Sequence, residues 1–287
     1  KAAEKLFITQ SALNQQLLKL EKELGTPLFH RSRTNWRLTE AGEIYIEGAK
    51  AALQIKNTTY NRIYDVVSAR KGHLTIGLTP GRGLRMFTAI YPELHRSFPN
   101  LDVRPIEMRV RAQQDAIAKG DIDVGLMTLT QKDQTSDTYY PLKQEELVLI
   151  IPSGHPLAAK AAPSGEPLTT LDLTELRYEP FVLMDKTSTL RSSCDLLFEK
   201  AGFAPNILFE TNNTSGIAAM VQSTLCCGII PRYYTLGLTE GVACFSLPER
   251  PSWEIVISCQ KNGYLNSGAR EFIRLAREYW ENSAPLF

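Results

Sequence analysis

Leucines at 13, 17, 20 and 24 recur at spacings of four, three and four, placing them on one stripe of a helix over residues 10–24. Thr9 stands where an N-cap belongs, Gly25 where a helix closes, and Pro27 where it cannot continue. Residues 2–7 read as a shorter helix before it. A second apolar repeat runs through Ala41, Tyr45, Ala49, Ala52, Tyr60, Ile63 and Val67, with Thr39 as its N-cap and no proline before Ala69. It predicts a rod of about 30 residues and about 45 Å. So long an amphipathic rod needs a partner along its length. A second copy of the chain is the simplest partner, and packing across the chain's own domains is the alternative.

After Lys71-Gly72 the texture becomes strand–helix alternation. Strands are expected at 73–79, 101–108 and 123–127, and helices at 84–98 and 111–119. An apolar run at 147–152 and a loop at 158–170 lead into a second block. That block has strands at 181–184, 206–209 and 227–230, and helices at 190–201 and 215–223. A strand at 253–259 and a helix at 267–280 close the chain. Alternation of this kind predicts an α/β fold with a parallel sheet covered on both faces. Two such blocks predict two lobes, with a ligand cleft at the carboxyl ends of their strands.

Composition adds a division of charge. The 287 residues, 43% hydrophobic and 22% charged, suit a soluble globular chain of about two domains. The net charge of +1 hides a contrast: residues 1–71 carry 12 Lys+Arg against 7 Asp+Glu, and the remainder 20 against 24. A basic head on a slightly acidic body fits a polyanion-binding module, although uneven surface charge alone gives the same sum. No apolar run reaches membrane-spanning length and no secretion signal is visible, so the reading is cytoplasmic. The five cysteines lack zinc or Cys-x-x-Cys spacing and read as reduced, mostly buried residues.

Candidate chemistry is that of recognition. Gln10, Ser11, Asn14 and Gln15 lie opposite the leucine stripe, and Asn and Gln amides can pair with adenine in the major groove. Arg31, Arg33 and Arg37 follow in a short basic stretch suited to phosphates or the minor groove, with Lys5 and Lys19 as further phosphate contacts. On spacing alone, an ordinary amphipathic helix beside a basic loop explains the same pattern. No catalytic constellation is visible: His73, His95 and His155 are scattered, and Thr79–Gly83 lacks the Gly-Lys-Ser/Thr ending of a phosphate loop. The chain reads as no enzyme, with no cofactor and no metal.

Resemblance resolves the head. Thr9-Gln-Ser-Ala-Leu13, Leu20-Glu-Lys-Glu-Leu-Gly25, Pro27-Leu-Phe-His-Arg31 and Leu38-Thr-Glu-Ala-Gly42 occur in the order found in LysR-type transcriptional regulators. Further on, Gly120-Asp-Ile-Asp123, His155-Pro-Leu-Ala158 and Gly228-Ile-Ile-Pro231 resemble the same family. The resemblance implies a winged helix-turn-helix over 1–38 and a linker helix over 39–71. A two-lobed, periplasmic-binding-protein-like domain follows, with lobe I at 72–148 and 249–287 and lobe II at 149–248. It places base contacts on Gln10, Ser11, Asn14, Gln15 and Gln16. Asn14 and Gln15 stand where the family usually carries Ser and Arg, which leans the operator toward A·T pairs. The sequence does not begin with Met, and the family's first helix is expected before residue 1.

The same resemblance implies an inducer between the lobes, against the loop holding Thr79, Gly81, Arg82 and Gly83, with Thr128 beside it. Thr187, Ser188 and Thr189, then Thr211 and Asn213, face it from lobe II. Arg82 and Arg85 would favour a carboxylate or other anion. Solvated surface remains the alternative for Arg82, and a plain helix cap for Ser188 and Thr189. The implied partners are a double-stranded DNA operator, a small-molecule effector, further copies in a homodimer or homotetramer, and RNA polymerase. The rivals are a solute receptor or small α/β enzyme, and a redox sensor read through Cys194 or Cys226.

Overall fold

A short helix, α1 (Ala2–Lys5), leads into α2 (Gln10–Leu24). The Thr9 hydroxyl accepts from the Ala12 amide at 3.2 Å, and Gly25 closes α2 with φ 72°. Two-residue strands follow, β1 (Phe29–His30) and β2 (Arg37–Leu38), antiparallel with Phe29 opposite Leu38. The helix α3 (Glu40–Val66) then begins on Thr39, whose hydroxyl accepts from the Gly42 amide at 3.0 Å and donates to the Pro27 carbonyl at 2.7 Å. A Cβ on Gly42 would stand 2.1 Å from the Leu28 carbonyl oxygen, so only glycine permits this approach. These details come from a computed structural model that describes residues 2–30, 36–67, 70–163, 165–238 and 240–283. The chain forms two units, one ending at Tyr60 and the other beginning at Asn61.

In the second unit the order is β3 (Lys71–Leu78), α4 (Arg82–Ser97), β4 (Asn100–Glu107), α5 (Val110–Lys119), β5 (Val124–Leu129) and β6 (Thr138–Pro152). Then come β7 (Pro180–Met184), α6 (Thr189–Lys200), β8 (Asn206–Thr211), α7 (Thr214–Gln222) and β9 (Gly228–Pro231). The chain closes with β10 (Val242–Ser246), β11 (Ser252–Cys259) and α8 (Ser267–Glu281).

The expected parallel sheet is mixed. β4, β3 and β5 run parallel, but β11 is antiparallel to β5 and to β6. The apolar run at 147–152 is only the second half of β6, a strand of 15 residues. Up to Glu146 it pairs with β11, and from Leu147 onward it pairs with β9 and β10. The chain thus leaves lobe I along β6 and re-enters along β11. A strand going out and a strand coming back must be antiparallel. The strand β10 was not expected, because Val242–Ser246 shows neither a long apolar run nor strict alternation.

Each lobe buries a layer on both faces of its sheet. In lobe I, Leu74, Ile76 and Leu78 pack with Met86, Leu94, Phe272 and Trp280, while Ile117, Met127 and Val256 fill the opposite face. In lobe II, Phe181, Leu183 and Phe245 pack with Cys194 and Phe198, and Val148, Ile150 and Val182 pack with Ile217 and Val221. Gly77 and Gly125 sit side by side in the register of β3 and β5. A Cβ on either would meet the Gln113 side chain at 3.0 or 2.6 Å, respectively. Gln113 is fully buried there, donating to the Met108 and Leu126 carbonyls at 2.9 and 3.1 Å.

The end of α3 belongs to this unit. Asn61 exchanges two hydrogen bonds with the His73 backbone, at 3.1 and 3.2 Å. Asp65 accepts from the Ser267 amide and hydroxyl, from Tyr264 Oη at 2.6 Å and from Arg270 at 3.1 Å. A carboxylate at the first turn of α8 also meets the positive end of that helix. Burial opposes its charge, but these bonds prevail and hold the Asp65 pKa below the ordinary carboxylate value.

Candidate functional site

In the head, α2 presents Gln10, Ser11, Asn14, Gln15, Gln16 and Lys19 to solvent. Leu13, Leu17 and Leu20 are half-buried behind them, but Leu24 is 43% exposed and leaves the expected stripe. Glu21 holds the next segment from the buried side, accepting from the Leu28 amide at 2.8 Å. The paired β1 and β2 form the base of a wing, with Phe29 and Trp36 rings 5.7 Å apart. Arg37 is exposed on β2. Arg31, Arg33 and the Lys5 side chain lie outside the described residues.

In the second unit, a cavity of about 580 Å³ opens between the lobes. Its wall is built from strand ends: Thr79 follows β3, Glu107 ends β4, Thr128 lies near the end of β5, and Met184, Asn212 and Pro231 mark β7, β8 and β9. Four helices begin on it, α4 at Arg82, α5 at Val110, α6 at Thr189 and α7 at Thr214. Ser188 caps α6 through the Leu190 amide and Asn213 caps α7 through the Ser215 amide, at 3.2 and 3.0 Å. The starts of α4 and α5 carry no side-chain cap.

Of the expected effector residues, Thr79, Gly81, Arg82, Thr128, Thr187, Ser188, Thr189 and Asn213 line this cavity. Gly83 does not. It lies in the first turn of α4, where a Cβ would meet Thr79 Oγ1 at 3.0 Å. Thr211 stands behind the wall, its hydroxyl accepting from the Asn213 amide at 3.2 Å.

Arg82 is neither solvated surface nor a free anion receptor. It is 4% exposed and donates to Glu145, which is wholly buried in β6. Glu145 also accepts from Trp253 Nε1 at 2.6 Å and the Tyr233 amide at 2.9 Å. Tyr233, Tyr234 and Trp253 surround the guanidinium with centroids 5.4–5.7 Å away. Burial alone would lower the Arg82 pKa, yet the Glu145 carboxylate holds it above its ordinary value. The sequence does not announce Glu145, because its neighbours on the strand are read as one polar patch before an apolar run.

Arg109 is the other residue missed. It precedes α5 and donates across the cavity to Asp185 at 2.6 Å and to the Thr187 hydroxyl. The Arg109 bond and the Thr187 bonds hold the Asp185 pKa well below the ordinary carboxylate range, against burial. Arg109 occupies the same strand-to-helix position as Thr79–Arg82 and Ser188, and that repetition is the signal that could have found it.

All five cysteines are free, four buried and Cys244 half-buried. Burial pushes the Cys194 and Cys227 thiols up to about 12 and Cys244 to about 11. Reaction with peroxide needs an accessible thiolate, which these positions do not supply at neutral pH. His155 is a local cap, its Nδ1 accepting from the Leu157 amide at 3.2 Å. Among the described residues, no helix is long and apolar enough to cross a membrane.

A helix-turn-helix head joined to a two-lobed α/β body with a cleft at its strand ends defines an effector-responsive DNA-binding regulator. Family models agree: residues 1–43 match the bacterial regulatory helix-turn-helix protein, lysR family, and residues 68–281 match the LysR substrate binding domain. The chain belongs to the LysR family, whose members are transcriptional regulators and not enzymes. The uncharacterized HTH-type transcriptional regulator YcgK of Bacillus subtilis is 28% identical, covering 97% of this chain and 89% of that protein. A probable RuBisCO transcriptional regulator of Cyanidioschyzon merolae is 30% identical over 77% of this chain and 72% of that one. Among solved structures, a full-length OxyR variant from Pseudomonas aeruginosa shares the fold at TM-score 0.67 and 21% identity, over 98% and 88% of the two chains. The effector binding domain of QuiR in complex with shikimate has TM-score 0.60 and 18% identity, over 74% of this chain and 98% of that one.

Proposed function

We propose that this regulator is switched by a small anionic effector in the interlobe cleft, and that α2 reads the operator. The observation that carries the effector reading is the opening of four helix N-termini onto one cavity. Each brings first-turn backbone N–H groups and the positive end of a helix dipole. Two of the four lack a side-chain cap, and Thr79 Oγ1 is buried beside them without a partner. Because Arg82 is committed to Glu145, the anion would rest on these backbone groups and on Arg109 rather than on Arg82. Gly81, Thr128, Thr187, Ser188, Thr189 and Asn213 complete the proposed wall. Shikimate, bound by the QuiR domain, is a hydroxylated carboxylate of the size such a cavity holds.

In the head, Gln10, Ser11, Asn14, Gln15 and Gln16 would meet base edges, and Lys19 and Arg37, with Arg31 and Arg33, the phosphates or minor groove. Division into a head at 1–38, a linker at 39–71 and lobes at 72–148 with 249–287 and at 149–248 gives every segment its own task. The exposed Ile44, Leu53 and Ile55 on α3 suit pairing with a second copy, giving two recognition helices for a two-fold operator. An effector that favours one lobe arrangement would shift the spacing of the paired heads. Such a regulator works in the cytoplasm, and RNA polymerase is the further partner it would meet at a promoter.

The test is a thermal-shift series with carboxylates, shikimate among them, each set against its methyl ester. Carboxylates that raise the midpoint where esters do not support the reading, since a ligand of the folded state stabilises it. Equal shifts from acid and ester would remove the anion from the proposal.

A further inference from the structure

The two walls of the cleft belong to different lobes, and side chains join them besides the strands β6 and β11. Thr189 Oγ1, from lobe II, donates to the Thr128 carbonyl of lobe I at 3.2 Å. Arg109, from lobe I, reaches Asp185 at 2.6 Å and Thr187 in lobe II. We propose that Arg109 and Asp185 form a clasp that ties the two lobes together across the cavity and resists their separation. What the clasp regulates rests on the cleft being the effector site; the clasp itself does not.

Three features let this pair, which joins lobe I to lobe II, part where the buried Arg82–Glu145 pair inside lobe I would not. The first is solvent. The Arg109 and Asp185 side chains are 40% and 26% exposed, against 4% and 0% for Arg82 and Glu145. Parting a buried pair strands two charges, whereas a partly exposed pair exchanges its partner for water or a ligand anion. The second is local support. Asp185 Oδ1 also accepts from the Thr187 amide at 3.0 Å and the Thr187 hydroxyl at 2.5 Å. Its turn therefore survives the departure of Arg109.

The third is incomplete satisfaction. With the clasp formed, Asp185 Oδ2 is buried with no partner, and so is Thr79 Oγ1 on the opposite wall. Buried polar atoms left unpaired disfavour a state, so the clasped state is held by few bonds and opposed by these atoms. A ligand that needs the clasp parted binds with an apparent affinity reduced by the fraction of molecules in which it is parted. Asp185 then acts as a resident competitor: its carboxylate occupies the guanidinium that an incoming anion would use. Arg109 and Asp185 are positioning residues in this scheme, setting how readily the lobes separate.

The experiment measures lobe separation in the full chain without any ligand. Spin labels go on Lys119→Cys at the end of α5 and Glu199→Cys near the end of α6, both exposed and one in each lobe. Cys244→Ser removes the half-buried native thiol, and excess unlabelled chain keeps labelled copies apart. R109Q and D185N are compared with the parent, and thermal melting checks that each folds. Asn at 185 can still accept from the Thr187 amide, so D185N removes the charge and leaves the turn.

Both variants are expected to move the distance distribution to longer values and broaden it. An unchanged distribution in both overturns the clasp. A change in D185N alone also overturns it, because R109Q removes the same ion pair together with the Thr187 bond, and a change in R109Q alone overturns the part given to Asp185. With no ligand present, a chain whose cleft binds no anion still reports on the clasp.

Discussion

Arg82, the first residue of α4, donates to Glu145 in β6, so a side chain lining the cleft is ion-paired to the strand that carries the chain between lobes. With exposures of 4% and 0%, neither charge can be rescued by water once its partner is gone. E145Q is therefore expected to destabilise the chain by about 3–5 kcal/mol in urea unfolding. The double variant R82M/E145M should recover much of that loss, because apolar side chains of similar volume leave no stranded charge. Equal losses in the single and double variants would show that packing and the Trp253 and Tyr233 donors left without Glu145, not charge pairing, dominate there.

If α2 reads the operator as proposed, base reading and phosphate contact fall on different residues of the head. N14A or Q15A should reduce discrimination between the operator and its base-pair variants by about 1–3 kcal/mol. K19A should weaken operator and unrelated duplexes alike, lowering the slope of log affinity against log salt by about 0.9. Titrations at several salt concentrations distinguish the two.

Gly42 is set by a single close approach. Its α-hydrogen faces the Leu28 carbonyl, and a Cβ there would be 2.1 Å from that oxygen. G42A should destabilise the head by about 1–3 kcal/mol, the range for overpacking a tight site. Loss of operator affinity with an unaltered cleft-ligand response would be the measured outcome.

Asp65 makes stability depend on pH in a defined direction. Its pKa in the folded chain lies below the ordinary carboxylate value near 3.9. The unfolded state therefore binds the proton first as pH falls, so the stabilisation is complete above about pH 5 and is lost progressively as pH falls through the ordinary carboxylate value and on through the lower folded-state value. D65N should lower the urea midpoint at pH 7, with the gap from the parent closing as pH drops through that window. A constant gap would mean that the carboxylate's charge is not the source.

The thiols should be slow. Ellman's reagent is expected to react first with Cys244 and with the others only after denaturation, since burial keeps Cys194 and Cys227 protonated far above neutrality. C194S and C226S should each retain the full effector response.

Much of the local structure is legible along the chain. Thr9, Gly25 and Thr39 mark helix boundaries by their own chemistry, and the structure places α2 and the start of α3 beside them. The ends were less legible: α1 stops at Lys5, and α3 ends at Val66 within the described residues. Strand-to-helix turns at Thr79, Ser188 and Asn213 also stand out, and all three line one cavity. What each side chain does there was not legible. Arg82 and Arg109 are both arginines at the start of a helix, yet one is sealed against Glu145 and the other spans the cleft to Asp185.

Periodicity and cap residues by themselves determined the long helix and the alternating lobes with a cleft at their strand ends, while the identity of the head and the loop that meets the inducer came from the family resemblance. These properties depend on neighbours a few residues apart. Only the tertiary structure decided that the sheet is mixed, that Leu24 is exposed, and which cation meets which carboxylate. Those pairs join residues 63 and 76 positions apart, and their energies depend on burial that no local pattern records.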